Sequence, residues 1–380
     1  MQHASLLIRG GVVITMDPAR RVIDDGAVAV SGDRIAAVGP RAEVEAVWRA
    51  TQVIDAKGRA VLPGFIDGHA HAGHGLVKTM GGGDSEAWSE ACRIIYTLAS
   101  PPSFWRAEAE LAALERLRNG VTTGVSLLGG GDSIMRTDNP AHGDAHCEGV
   151  AAVGIRAIVA VGPTRPPHPR EYASWESGTE RRYPVSFERQ AETCAALIKR
   201  WHGAADGRIA IATLMPVYRE ATHDAAKVAE IERQGRIMRE LGRKHGTLFH
   251  QDGHRSGSIE MADRMFGLCG PDAFFSHCTD LTDADIDALA SSGASVVHNP
   301  SAIAAVRGYC PAPKLMEAGI TVMIGSDATA PDRSGDMFRH MFQCIRYHQR
   351  AFRDEGMIPP GKALEMVTID AAKGLGLADT

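Results

Sequence analysis

Disulfide signals are sparse in this chain. Its seven cysteines, Cys92, Cys147, Cys194, Cys269, Cys278, Cys310 and Cys344, are odd in number and include no Cys-x-x-Cys pair. That usage argues against a disulfide framework and for a reducing, cytoplasmic compartment. Long apolar runs are also missing: nothing approaches the roughly 20 apolar residues of a membrane span. The start, Met1 to Gly10, has neither the basic stretch nor the apolar segment of a secretory signal. Charge of one sign never accumulates in long blocks. With 41 basic and 46 acidic residues and a formal net charge of −5, the chain offers no electrostatic footprint for nucleic acid or an anionic membrane. Low-complexity segments and sequence repeats are absent too, which leaves an ordinary globular protein.

What is present is an α/β pattern. The 380 residues suffice for one large α/β domain and a smaller appendage. Residues 1–62 read as a small β domain of short strands (Leu6–Ile8, Val12–Thr15, Ala27–Val30, Ile35–Val38 and Gln52–Ile54) parted by Gly-Gly, Ser-Gly-Asp and Lys-Gly turns. In residues 63–380 apolar strands alternate with amphipathic helices, the pattern of a parallel sheet covered by helices. Eight strands are expected: Ala60–Ile66, Thr122–Leu127, Arg156–Val161, Ile209–Met215, Thr247–His250, Ala273–His277, Ser295–His298 and Thr321–Ile324. Between them fall helices such as Ser103–Asn119, with Leu111, Leu114 and Leu117 on one side, His223–His245, and Thr282–Ser292 capped by Thr282. Eight such units fit a (β/α)8 TIM barrel, with a doubly wound open sheet as the other arrangement. Long segments at 73–86, 129–146 and 163–185 are expected as loops over the barrel mouth.

The chemistry concentrates at the ends of these strands. In Ala60-Val-Leu-Pro-Gly-Phe-Ile-Asp-Gly-His-Ala-His71, two histidines one residue apart close an apolar run. On extended backbone residues i and i+2 share a face, so both imidazoles can converge on one ion. His250, His277, His298 and Asp327 then close the last four strands, 27, 21 and 29 residues apart, each about one βα unit. Five histidines and an aspartate at equivalent places are more than packing requires. Imidazoles with one carboxylate suit Zn²⁺, and also Fe²⁺, Mn²⁺ or Co²⁺, with a position left open for water. Such an ion makes water acidic enough to act as a nucleophile near neutral pH, and Asp327 is a candidate both for ligand and for proton shuttle.

Taken together, Pro63-Gly-Phe-Ile-Asp-Gly-His-Ala-His71, Phe249-His250, Ser276-His-Cys278, His298-Asn-Pro-Ser301 and Gly325-Ser-Asp-Ala328 resemble the amidohydrolase superfamily, especially its branch of cytosine, aminopurine and adenosine-type deaminases and triazine hydrolases. The resemblance spans nearly the whole chain. It implies that His69, His71, His250 and Asp327 hold one divalent metal ion, zinc before iron, manganese or cobalt. It also implies that His277 stabilises the attacking hydroxide or a developing oxyanion, and that His298 contacts substrate or supports the loop above it. No lysine lies in Ile209–Tyr218, so a bridging carboxylated lysine has no counterpart and the centre is expected to be mononuclear.

Two departures shape the expectation. The branch carries a glutamate three residues after the fifth-strand histidine, to protonate a ring nitrogen; here that position is Gly253. Asp252, two residues from His250, or His254 is expected to replace it. Hydrolytic deamination of a small nitrogen heterocycle is therefore the leading expectation. Hydrolysis of an amide, urea-like, carbamate or C–S bond is the alternative, and a catalytically silent scaffold the reading from a different class. The second departure is at the end: the family continues beyond a helix such as Lys362–Gly374 with Gly-rich strands that complete a β-sandwich-like small domain, whereas this sequence reads Leu377-Ala-Asp-Thr380, so either a C-terminal part is missing or the small domain is reduced. Unpaired edges there would favour a homo-oligomer. Arg165 and His168 are candidates for an acidic group of the substrate, and Trp88, Trp105 and Trp175 for stacking on a planar ring. The expected partner is a small molecule, with no nucleic acid and no membrane.

Overall fold

The computed structural model describes residues 1–379 except 132–133, 176–177, 219–223, 303–307 and 328–333. Ala328, His223 and Thr380, quoted above, lie outside the described residues. Two compact units divide the chain, Met1–Gly64 and Phe65–Thr380.

The first unit is a five-stranded sheet. β1 (Gln2–Ile14), β2 (Val22–Ser31), β3 (Arg34–Pro40) and β4 (Trp48–Asp55) stand in the order β3-β2-β1-β4, and β5 (Ala60–Val61) also pairs with β1. The two short strands expected before Thr15 are one strand, whose register shifts on either side of Gly11. Such a shift lets a strand bend without ending. Ala4, Leu7, Ala27, Ala29 and Val44, the last from the helix Arg41–Val47, form a small separate core.

The second unit is the expected barrel. Its strands are β6 (Phe65–Asp67), β7 (Val121–Leu127), β10 (Arg156–Val161), β13 (Ile209–Leu214), β14 (Phe249–Gln251), β15 (Ala273–Ser276), β16 (Ser295–His298) and β17 (Val322–Ile324), all parallel and each beside the next in the chain. Two hairpins, β8 (Gly129–Gly131) with β9 (Ile134–Met135) and β11 (Arg170–Ser174) with β12 (Arg181–Val185), occupy stretches expected as loops. Closure between β17 and β6 is made by Gly68 N donating to Ile324 O at 3.0 Å, Asp327 N donating to His69 O at 2.7 Å, and a parallel bridge between Ala70 and Asp327. The seam is tight. A Cβ on Gly325 would lie 2.9 Å from both His69 N and His69 Cβ, so only glycine lets the two segments approach.

Three expectations are corrected. Ala60–Ile66 is not one strand: Ala60-Val61 pairs with β1, and the barrel begins at Phe65, beyond Pro63, which has no N–H to give a ladder. The helix Pro102–Arg118 does not bury its leucines. Leu111, Leu114 and Leu117 are exposed, and the inward face carries Trp105, Glu108, Ala109, Ala113 and Arg116. That face meets buried polar partners rather than a purely apolar layer, so leucine periodicity misdirects the reading. The expected helix Lys362–Gly374 is two, Pro360–Met366 and Ile369–Gly374.

Candidate metal centre and active site

β6 ends at Asp67, but the chain stays extended to His71, because Ala70 bridges to Asp327 on one side and His71 to Leu127 on the other. The alternation of extended backbone then turns both histidines to one side, with ring centroids 5.1 Å apart. His250 lies mid-strand in β14. His277 and Asp327 follow β15 and β17 closely with φ of 67° and 60°, left-handed values uncommon for residues with a side chain and often found where function fixes the backbone.

The side chains meet at one point. His250 Nε2 is 3.1 Å from His69 Nδ1, and His71 Nε2 is 3.1 Å from Asp327 Oδ1. Asp252 joins them: its Oδ1 lies 3.3 Å from His69 Nε2 and 3.2 Å from His277 Nε2, and its Oδ2 3.5 Å from His71 Nε2. His277 Nε2 is also 3.8 Å from Asp327 Oδ2, so it sits between the two carboxylates. Possible donor atoms of His69, His71 and Asp327 lie within 4.8 Å of one another, as do those of His69, Asp252 and His277.

The donor set fits a divalent ion. His71 Nδ1 donates to Gly129 O at 3.1 Å and His250 Nδ1 to Phe274 O at 2.7 Å, which turns Nε2 of both rings toward the centre and leaves that of His250 as a lone-pair donor. Burial and then the neighbouring His69 hold the His250 pKa far below the usual histidine value, so it stays neutral. Burial alone would raise the pKa values of Asp252 and Asp327. The imidazoles overcome it, His69 and His277 foremost at Asp252 and His277 at Asp327, and both carboxylates fall well below their ordinary range. Burial opposes protonation of His71, yet the hydrogen bond to Asp327 and the charge of Asp252 hold its pKa above the ordinary value. Two carboxylates and a neutral imidazole are the ionisation states a cation requires.

The other candidates have partners of their own. His254 Nδ1 meets Ser258 Oγ at 2.9 Å and its ring packs on Phe275. His298 is buried against His348 and Tyr347, with ring centroids 5.0 and 5.6 Å away. Arg165 donates to Val217 O and lies over the Tyr218 ring; His168 Nε2 meets Gln190 Oε1 at 3.2 Å. Trp105 is a core residue, Trp175 donates to Leu98 O, and Trp88 stands edge-on to His74. Gly253, in the glutamate position, has φ 95°, and its N–H donates to Ser276 Oγ at 3.0 Å. A side chain there would be strained, which accounts for glycine.

Three groups near the centre escaped the sequence reading. His74 stacks between His71 and Tyr96, at 4.8 and 5.8 Å. Glu108, fully buried, accepts from Gly75 N at 3.3 Å and so ties down the loop that carries His74. Asp67 forms a buried ion pair with Arg116. The signal available was an aspartate alternating with His69 and His71 on one strand face.

Glu108 also yields a pH prediction. Burial raises its pKa from 4.5 to about 7, against the backbone bonds from Gly73 and Gly75 and the charge of Arg116. The folded chain thus holds a proton that the unfolded chain has released, and the stability this group contributes at pH 4 is lost as pH rises to about 7. The loss amounts to about 3 kcal/mol. Glu108→Gln should therefore gain on the wild type between pH 4.5 and 8 in denaturant unfolding. A stability difference independent of pH would refute the assignment.

Comparison with known proteins agrees with this geometry. Residues 60–380 match the Amidohydrolase family, and residues 26–48 match the bacterial imidazolonepropionase-like composite domain. The chain belongs to the amidohydrolase family. It is 31% identical to a 5-methylthioadenosine/S-adenosylhomocysteine deaminase of Syntrophobacter fumaroxidans, over 99% of this chain and 81% of that protein. To a 5'-deoxyadenosine deaminase of Methanosarcina mazei it is 28% identical, over 98% and 80%. Among solved structures, an adenosine deaminase of Xanthomonas campestris with bound zinc superposes with a TM-score of 0.79 at 23% identity, over 100% of this chain and 81% of that one. The zinc complex of atrazine chlorohydrolase from Arthrobacter aurescens gives 0.79 at 21% identity, over 98% and 83%. The protein is a metal-dependent hydrolase of the amidohydrolase type, acting on carbon–nitrogen bonds other than peptide bonds.

Proposed function

We propose that this chain hydrolytically deaminates an adenine nucleoside altered at its 5' position, with one zinc ion held by His69, His71, His250 and Asp327. The convergence of four histidines and two aspartates at one rim of the barrel carries this reading. The nitrogen and oxygen donors suit zinc, and the two curated relatives above are named for 5'-modified adenosines. When bound there, the ion supplies the positive charge that makes water nucleophilic near neutral pH. Asp327 takes the proton that water loses on attacking the carbon bearing the amine, and as the adduct collapses it takes the remaining hydroxyl proton and passes it to the amine, which leaves as ammonia. His277 faces the oxyanion that develops there. Asp252 hands a proton to the ring nitrogen; since its resting carboxylate is anionic, it must first collect that proton from the water by way of Asp327 and then His277, which faces both carboxylates. The products are the keto heterocycle and ammonia.

Gly253 favours a second reading, hydrolysis of another carbon–nitrogen bond in which no ring nitrogen is protonated. A screen of the zinc-loaded protein separates the two. Ammonia release from 5'-deoxy- or 5'-methylthioadenosine, well above that from guanine, cytosine or melamine, is expected; amine release from ureas or amides in its place contradicts the first reading. Among the described residues no helix is long and apolar enough to cross a membrane. All seven cysteines are free thiols, which supports a reducing compartment.

A further inference from the structure

We infer that the buried Asp67–Arg116 pair is a positioning device for the metal centre, setting the two ligand-bearing segments that meet where the barrel closes. The inference rests on the metal-centre reading above. Asp67 Oδ1 accepts from Ser326 N at 2.8 Å and from His69 N at 3.4 Å, and its Oδ2 accepts from Ser326 Oγ at 2.6 Å. One carboxylate thus grips the residue before Asp327 and the backbone of His69, on strands at opposite ends of the sequence. Arg116, from the helix behind, donates Nε and Nη2 to Asp67 Oδ2 at 3.1 and 3.0 Å, and reaches Ser126 Oγ at 3.0 Å and Val125 O at 2.8 Å on β7. Three barrel strands are therefore tied to one ion pair, 0% and 8% exposed.

The charge follows from the donors. His69 N, Ser326 N and Ser326 Oγ need two acceptor oxygens, which a carboxylate has and an amide lacks. A buried carboxylate needs a cation beside it, and Arg116 supplies a rigid, permanently charged fork. A buried ion pair is weak evidence of stabilisation, because desolvation offsets much of its attraction, so stability alone does not explain why this pair is charged. Position does. Asp327, with φ 60°, keeps an unfavourable backbone only if its surroundings over-determine it. The bonds from Ser326 to Asp67 and from Asp327 N to His69 O do so.

The test compares the wild type with Asp67→Asn/Arg116→Met, which removes both charges while keeping volume, and with Ser326→Ala, which removes only the hydroxyl donor. Zinc affinity is read by competition with a chelator, and ligand geometry by the visible absorption of the cobalt-loaded protein. The double variant is expected to bind zinc about 10- to 100-fold more weakly, with a displaced cobalt band, and Ser326→Ala several-fold more weakly. If either variant folds and keeps wild-type affinity and spectrum, melting only at a different temperature, the pair is a structural prop and the inference fails alone. If the wild type itself takes up no stoichiometric zinc, the metal-centre reading fails and takes this inference with it.

Discussion

Asp327→Asn is expected to lower kcat on the deaminated substrate by on the order of 10⁴-fold, because the proposed mechanism uses this one residue both as ligand and as proton acceptor. Its Oδ1 lies 3.1 Å from His71 Nε2 and 3.5 Å from His69 Nε2, and its other oxygen faces His277. An amide keeps the shape but cannot take a proton, and it withdraws a negative charge from a centre that balances a dication. Zinc content should fall with the rate. Steady-state kinetics beside metal analysis checks the prediction, and an Asn variant within tenfold of wild type would remove Asp327 from both roles.

Asp252→Asn should cost about 10²- to 10³-fold in kcat, with KM changed far less, while His254→Ala should stay within about threefold of wild type. The contrast follows from placement. Asp252 stands within 3.5 Å of nitrogen atoms of His69, His71 and His277, whereas His254 Nδ1 meets Ser258 Oγ and its ring packs on Phe275. Ring-nitrogen protonation also predicts that Asp252→Asn suffers least on substrates whose heterocycle is already electron-poor and needs little help from an acid. Equal losses in both variants, or a loss confined to His254→Ala, would move the proton donor.

The barrel and its rim were legible because each carries a local signal. Apolar runs ending in His250, His277, His298 and Asp327 recur at the length of one βα unit, and His69-x-His71 follows strand alternation directly. Elements defined by partners far along the chain were harder to read. Nothing local shows that Ala60-Val61 pairs with β1 and not with the barrel, because both segments are apolar and extended. The helix Pro102–Arg118 hides its inward face behind three leucines that point to solvent, since Glu108 and Arg116 face partners from other strands. The Asp67 network joins residues 259 positions apart, through a barrel closure that a single sequence does not display. Asp252 was readable as a neighbour of His250, but the left-handed turn at Gly253 that separates it from His254 was not.

The most direct measurement is metal stoichiometry set against turnover. Purified from zinc-supplemented medium, the wild type should carry close to one zinc ion per chain, lose ammonia release when a chelator strips the ion, and regain it when zinc returns; His69→Ala/His71→Ala should carry almost none and remain silent. Full activity in metal-stripped protein, or undiminished zinc in the doubly substituted chain, would contradict the account.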